Sequence, residues 1–330
     1  MKLQLSLAGA GIVLAGLALA GLALATPSDD GRIGANSADY AHTWITDADL
    51  APAGQLAELW RIDLSHTKIT DLGLEHLKNL QNVIDLNCLF AEYITEDGIA
   101  HLSGWKKLER LNLRGTKVTS KVFDHLAKLA ALRVLDLSSS QIDDEGFENL
   151  ASLGKLESLA IGANRLNGSA LPFLKLLPNL KKLDVSGIQR VDSGLWGLAL
   201  TDSNLGQLGG LTQLTELDLS GANLADRGVD RPGHPEAERS ELKDLSKLRG
   251  LVNLKKLDLS RTPVTAGTLE TIAALPNLQE LRLGYAPNID DAAIPVLISM
   301  KKLEVVYLAG TRVTAEGKER LRAEKRFAVR

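Results

Sequence analysis

Ten stretches of the chain open with Leu-x-x-Leu-x-Leu or a close variant, at Leu59, Val83, Leu108, Leu132, Leu156, Leu180, Leu214, Leu254, Leu278 and Leu303. Seven of the nine intervals are 24 or 25 residues. A period of this length means that one small unit is stacked on copies of itself, because no single unit can bury its own apolar face. The usual relation between length and domain number therefore does not apply to these 330 residues.

Each unit changes its hydrophobic period part-way along. In LERLNLRGTKVTSKVFDHLAKLAA, apolar residues at positions 1, 4 and 6 alternate as a strand requires, and those at 16, 19 and 22 recur at helical spacing. The units from Leu132 and Leu254, LRVLDLSSSQIDDEGFENLASLGK and LKKLDLSRTPVTAGTLETIAALPN, repeat the scheme. The expected fold class is α/β, with one strand and one short helix per unit. Between strand and helix stands Val/Ile-Thr-Asp. The Thr is suited to cap the helix, and the Asp to meet the positive end of its dipole. HTWITDADL at 42–50 repeats HTKITDLGL at 66–74, so a degenerate cap unit is expected, with its strand around Ala35 to Tyr40.

These residues resemble the leucine-rich repeat family, in the short variety whose units carry T-x-V/I-T-D-x-G-L, over residues 43 to about 326. The resemblance implies a solenoid with parallel strands on a concave face, helices outside, and binding of proteins as the usual role. The asparagine usual at position 9 survives as Asn164, with Thr67, Thr116, Thr262 and Thr311 in that place elsewhere, so a threonine ladder is expected to satisfy buried backbone. Only Phe327–Arg330 follow the last unit, so no catalytic domain is expected there. The resemblance to repeat-bearing ubiquitin-ligase components extends to the repeats alone.

The domain reading is a signal peptide or membrane anchor at 1–25, a linker at 26–38, repeats at 39–326 and a tail at 327–330. The run Leu7–Ala25 is apolar throughout, follows Lys2, and ends on Ala-Leu-Ala before Thr26, the layout of a secretory signal. Its 19 residues also reach the length that spans a bilayer, so attachment through residues 3–25 is the alternative. Either way the repeats are expected outside the cytoplasm, periplasmic or secreted. A single cysteine, Cys88 at an inward position 6, leaves stability to packing. Net charge is −3 with the signs interspersed, which argues against nucleic acid. No nucleotide loop, G-x-S-x-G, H-E-x-x-H or paired-cysteine motif occurs, and no cofactor is expected.

Two units are lengthened, by about Arg190–Ala199 and about Asp230–Asp244. Such insertions fall on loops, often on a binding side, and Trp196 in the first would be an interface anchor. The plainer reading is that Leu195, Trp196 and Leu198 cover a gap between units. In the second insertion, His234, Glu236 and Glu238 could serve an unrecognised enzyme, although such a loop is ordinarily a solvated stretch.

Position 3 reads Arg61, Asp85, Arg110, Val134, Ser158, Lys182, Glu216, Lys256, Glu280 and Val305, alternating in sign up to Glu280 except at Val134 and Ser158 in mid-array. That uncharged saddle, with Ala160 and Gly162 beside it, leads to the candidate binding set Val134, Asp136, Ser158, Ala160, Lys182, Asp184 and Trp196. A protein or peptide partner is expected, with a glycan left open. The position-5 acids Asp63, Asp136, Asp184, Asp218 and Asp258 step about 4.8 Å apart along a ladder, too far for calcium to gather enough oxygens. His76, His101 and His125 share position 18, but neighbouring helices about 8–10 Å apart do not converge three imidazoles on zinc.

Overall fold

The computed structural model describes residues 36–187, 198, 201–222, 244–324 and 328–330. It forms two compact units, one ending at Asp136 and the other beginning at Leu137. The first carries β1 (Ser37–Asp39), β2 (Arg61–Asp63), β3 (Asp85–Asn87), β4 (Arg110–Asn112) and β5 (Val134–Asp136), parallel and paired in chain order. The second carries β6 (Ser158–Ala160), β7 (Lys182–Asp184), β8 (Glu216–Asp218), β9 (Lys256–Asp258), β10 (Glu280–Arg282), β11 (Val305–Tyr307) and β12 (Ala328–Val329), again parallel and sequential. Pairing advances by one whole repeat, as in Asp85↔Arg110 and Lys256↔Glu280.

Strands β2 to β11 are the ten sequence units, and β1 is the strand of the degenerate cap. Strand β12 is an addition. Residues 328–329 carry no leucine signal, yet Ala328 N–H and Arg330 N–H bond to Glu304 and Val306 carbonyls, so the chain end pairs with the last repeat.

Positions 1, 4 and 6 face inward because alternate strand residues share a face. Leu108, Leu111 and Leu113 are buried, as are Phe123, Leu126 and Leu129 of the same unit, each burial worth about 1.5–3 kcal/mol. Cys88 lies fully buried among them, and burial pushes its thiol far above the ordinary range.

The segments behind the strands are short. They are α-helical at α1 (Asp71–His76), α2 (Glu96–Ala100), α3 (Phe123–Leu126), α4 (Asp202–Gly209), α5 (Ala266–Ile272), α6 (Ala293–Ser299) and α7 (Ala315–Ala323), but 3-10 at Phe147–Ser152, Leu171–Leu176 and Ser246–Gly250. The helical period locates these segments without fixing their winding.

Threonine does the work expected at position 9: Thr67, Thr116, Thr262 and Thr311 each donate to the carbonyl three residues back. Asn164 does more. It donates to the carbonyls of Leu137 and Ile161 and accepts from Ser140 and Ile142 N–H, so it joins two turns.

The Asp of T-D-x-G has a role that its local context does not reveal. Thr70, Thr95, Thr265 and Thr314 cap their helices as expected, and Asp71 sits in a first turn. The carboxylate, however, is turned to the following repeat. Asp47 accepts from Thr70 N–H at 2.8 Å and Oγ1 at 2.7 Å, and Asp71 accepts from Thr95 at 2.8 and 2.7 Å. Glu96 does the same for Thr119, Asp291 for Thr314, and Asp144 takes three backbone N–H groups of residues 167–170. The Gly of the motif makes room for this pin: a Cβ on Gly98 would lie 2.4 Å from Asp71 Oδ1, and one on Gly317 2.3 Å from Asp291 Oδ1.

Candidate interaction surface

Residues at positions 3 and 5 point away from the buried face, so each strand offers two side chains to solvent. At position 5 the carboxylate first serves its own turn. Asp184, Asp218 and Asp258 each accept, at 2.8 Å, from the N–H two residues on, at Ser186, Ser220 and Ser260. This local bond accounts for the recurrent Asp-x-Ser and holds each carboxylate in place on the sheet.

At position 3 the alternating signs pair across strands. Asp85 lies 3.9 Å from Arg61 and 3.1 Å from Arg110, and Glu216 lies 3.2 Å from Lys182 and 3.5 Å from Lys256. Exposed pairs of this kind contribute about 0–1 kcal/mol each, so they order the surface more than they stabilise the fold.

In the second unit these rows border an open depression of about 330 Å³ across β6 to β10. Its rim and floor bring together Ser158, Ala160, Lys182 and Asp184 from the sequence-derived set with Glu216, Asp218, Lys256, Asp258, Glu280 and Arg282. At its centre, half-burial pushes the carboxyl of Asp218 up to about 6, offset by the Ser220 backbone bond and reinforced by the negative charges of Asp184 and Asp258 in register beside it. Arg282 is bonded by Glu280 at 2.7 Å and lies 4.7 Å from the Tyr307 ring. The row thus passes from three carboxylates to a guanidinium and an aromatic ring.

Of the other predicted residues, Val134 and Asp136 lie on β5 in the first unit, where Val134 is exposed. Trp196, Leu195 and the His234, Glu236 and Glu238 group fall outside the described residues. Leu198 is buried. His76 is exposed while His101 and His125 are half-buried. Among the described residues no three His, Cys, Asp or Glu side chains gather in a way that could hold a metal. The ladder of position-5 acids argued against calcium; three of them on successive strands, Asp184, Asp218 and Asp258, were the available signal that one would be perturbed.

The pattern of repeats and strands has counterparts among known proteins. Residues 126–253 match the family model described as Zer-1-like leucine-rich repeats. An internalin from Listeria monocytogenes superposes with a TM-score of 0.60 at 20% identity, covering 88% of this chain and 72% of its own. In repeat and fold, the chain is built of leucine-rich repeats. A second Listeria monocytogenes internalin, internalin C2, gives a TM-score of 0.47 at 23% identity over 83% of this chain and 94% of its own. A leucine-rich repeat protein of Leptospira interrogans gives 0.42 at 18% over 89% of each. No curated protein matches the sequence. Leucine-rich repeat proteins are typically non-enzymatic, and the fold suggests a protein–protein interaction module here.

Proposed function

We propose that this leucine-rich repeat protein is an exported module that binds a protein or peptide on the exposed strand face between β6 and β10. The observation that carries the reading is the row Asp184, Asp218 and Asp258 in the depression: three carboxylates in register, the central one already half-desolvated. A lysine or arginine of a partner laid along that row removes the unfavourable acid–acid contact and gains charge-assisted bonds. Because Lys182, Glu216 and Lys256 are already paired, and each Asp is already bonded to its own turn, little side-chain entropy is lost on docking. Affinity on such a face concentrates in a few anchors.

Asp218→Ala and Asp258→Ala are expected to weaken partner capture at least tenfold, while Glu270→Ala on the exposed side of α5 leaves it unchanged. Equal capture by all three variants would remove the strand face from the account. Export rests on the Leu7–Ala25 run and its Ala-Leu-Ala boundary. Fractionation with N-terminal sequencing tests it: a mature start at Thr26 is expected, an intact run in the membrane fraction would instead make the protein a tethered envelope scaffold, and a cytoplasmic pool would contradict export.

A further inference from the structure

The first unit carries a second surface that the strand-face reading does not use. After each strand the chain turns through a residue with positive φ at position 8: His42, His66, Phe90 and Gly115 have φ of 58°, 56°, 53° and 73°. The His42 and His66 rings stack at 4.3 Å, His66 and Phe90 lie 5.3 Å apart, and the Phe90 ring closes over Gly115, where a Cβ would fall 2.3 Å from it. Beside this stack runs a second row that reads Trp44, Lys68, Tyr93, Lys117, two positions on in three of the turns and three positions on at Tyr93, where the turn is one residue longer. The Lys68 ammonium lies 4.8 Å from the Trp44 ring centroid and that of Lys117 5.1 Å from Tyr93. Backbone contacts hold the row together, through the Thr70–Tyr93 bridge and the bond from Lys117 N–H to the Ile94 carbonyl.

The row is far more exposed than structural duty requires. Trp44 is 83% accessible and Tyr93 47%, and indole is rarely left in water without a use. The turns at 41–46, 65–70, 89–95 and 114–119 hold three cations, Lys68, Arg114 and Lys117, against one carboxylate, Glu92. The surface is therefore aromatic and cationic, with rings alternating with ammonium groups.

The alternation sets a length. Ring-to-ring and ammonium-to-ammonium steps each span two repeats, about 9.6 Å at the spacing of paired strands. An extended polyproline II peptide repeats every three residues, about 9.3 Å. We propose that this edge of the first unit binds an acidic, proline-rich segment in that conformation. Every third residue, a carboxylate, faces Lys68 and Lys117, and the prolines between rest on Trp44 and Tyr93. Aromatic surfaces recognise such segments because the ligand is already ordered before it binds.

The test is fluorescence anisotropy of a labelled (Glu-Pro-Pro)4 peptide with the full chain. The expected result is saturable binding that weakens with added salt, falls at least tenfold in Trp44→Ala/Tyr93→Ala, and loses its salt dependence in Lys68→Ala/Lys117→Ala. A (Lys-Pro-Pro)4 peptide is expected not to bind. These side chains are exposed, so all variants should keep the wild-type circular dichroism spectrum. Absence of binding, binding indifferent to loss of both rings, or equal binding of the lysine peptide would overturn the proposal, as would displacement of the peptide by a neutral oligosaccharide. Asp218→Ala leaves this binding unchanged, which keeps the test separate from that of the strand face.

Discussion

Asp71 shows how far one residue's role can lie from its neighbours in sequence. Its partner is Thr95, 24 residues away, so the motif discloses a cap and an acidic first turn but not the pin to the next repeat. Asp71→Ala is expected to cost about 1–3 kcal/mol, because it orphans a partly buried N–H, whereas Asp97→Ala on the exposed side of α2 should be nearly neutral. Urea denaturation of the two variants measures the difference. Asp218 and Asp291 should respond to pH with opposite sign. Bonds from Thr314 hold Asp291 below the ordinary carboxylate range, so its contribution is present at neutral pH and fades as pH falls through that lowered value. Burial raises Asp218 to about 6 from an ordinary 3.8, so the folded state binds the extra proton between those values and stability falls as pH rises across the window. Asp218→Asn, which keeps an acceptor for Ser220 N–H, is expected to raise stability at pH 7 by on the order of 1 kcal/mol, discounted for partial exposure, and to flatten the pH 4–6 slope. Chemical denaturation across pH checks both the sign and the window.

The turn after each strand behaves as an element with its own rule. Position 8 takes positive φ in repeat after repeat, filled by Gly at 115, 221 and 310 and by His66, Ser139, Ala163, Arg261 and Tyr285 elsewhere. An aromatic there is followed by a flat ring or by glycine, since Phe90 covers Gly115 and Tyr285 covers Gly310. Gly115→Ala should therefore destabilise by about 1–3 kcal/mol, combining left-handed strain with a clash on Phe90. In Phe90→Gly/Gly115→Ala the clash is gone and part of that loss should return, a coupling that a double-mutant cycle in urea reads directly. Sequence periodicity located β2 to β11 because apolar residues at positions 4 and 6 mark each of those strands, and the repeat of HTKITDLGL as HTWITDADL located β1. It passed over β12, whose Ala328 and Val329 cover the last repeat without needing that signature. The 3-10 segments at Phe147–Ser152 and Leu171–Leu176 share the apolar spacing of the α-helical ones, and that spacing alone does not separate the two windings.

At the scale of the molecule, the leucines specify a repeat scaffold and leave its surfaces to residues that carry no motif. The saddle at Ser158 and Ala160 was visible as missing charge, but the depression beyond it holds Asp218, which is set apart by burial and by Asp184 and Asp258 on the adjacent strands. Cys88 reports on the integrity of the core: with its thiol fully buried and raised, alkylation is expected in denaturant and not in buffer, and rapid labelling of the native protein would contradict the packing described. The most direct test of the account places a photoreactive side chain singly at Lys182, Asp218 or Lys256 on the strand face and at Glu270 on the helical side, in the full chain within its own cells. The account predicts one common crosslinked protein partner from the three strand-face positions and none from 270. Crosslinks from 270 with none from the strand face would contradict it.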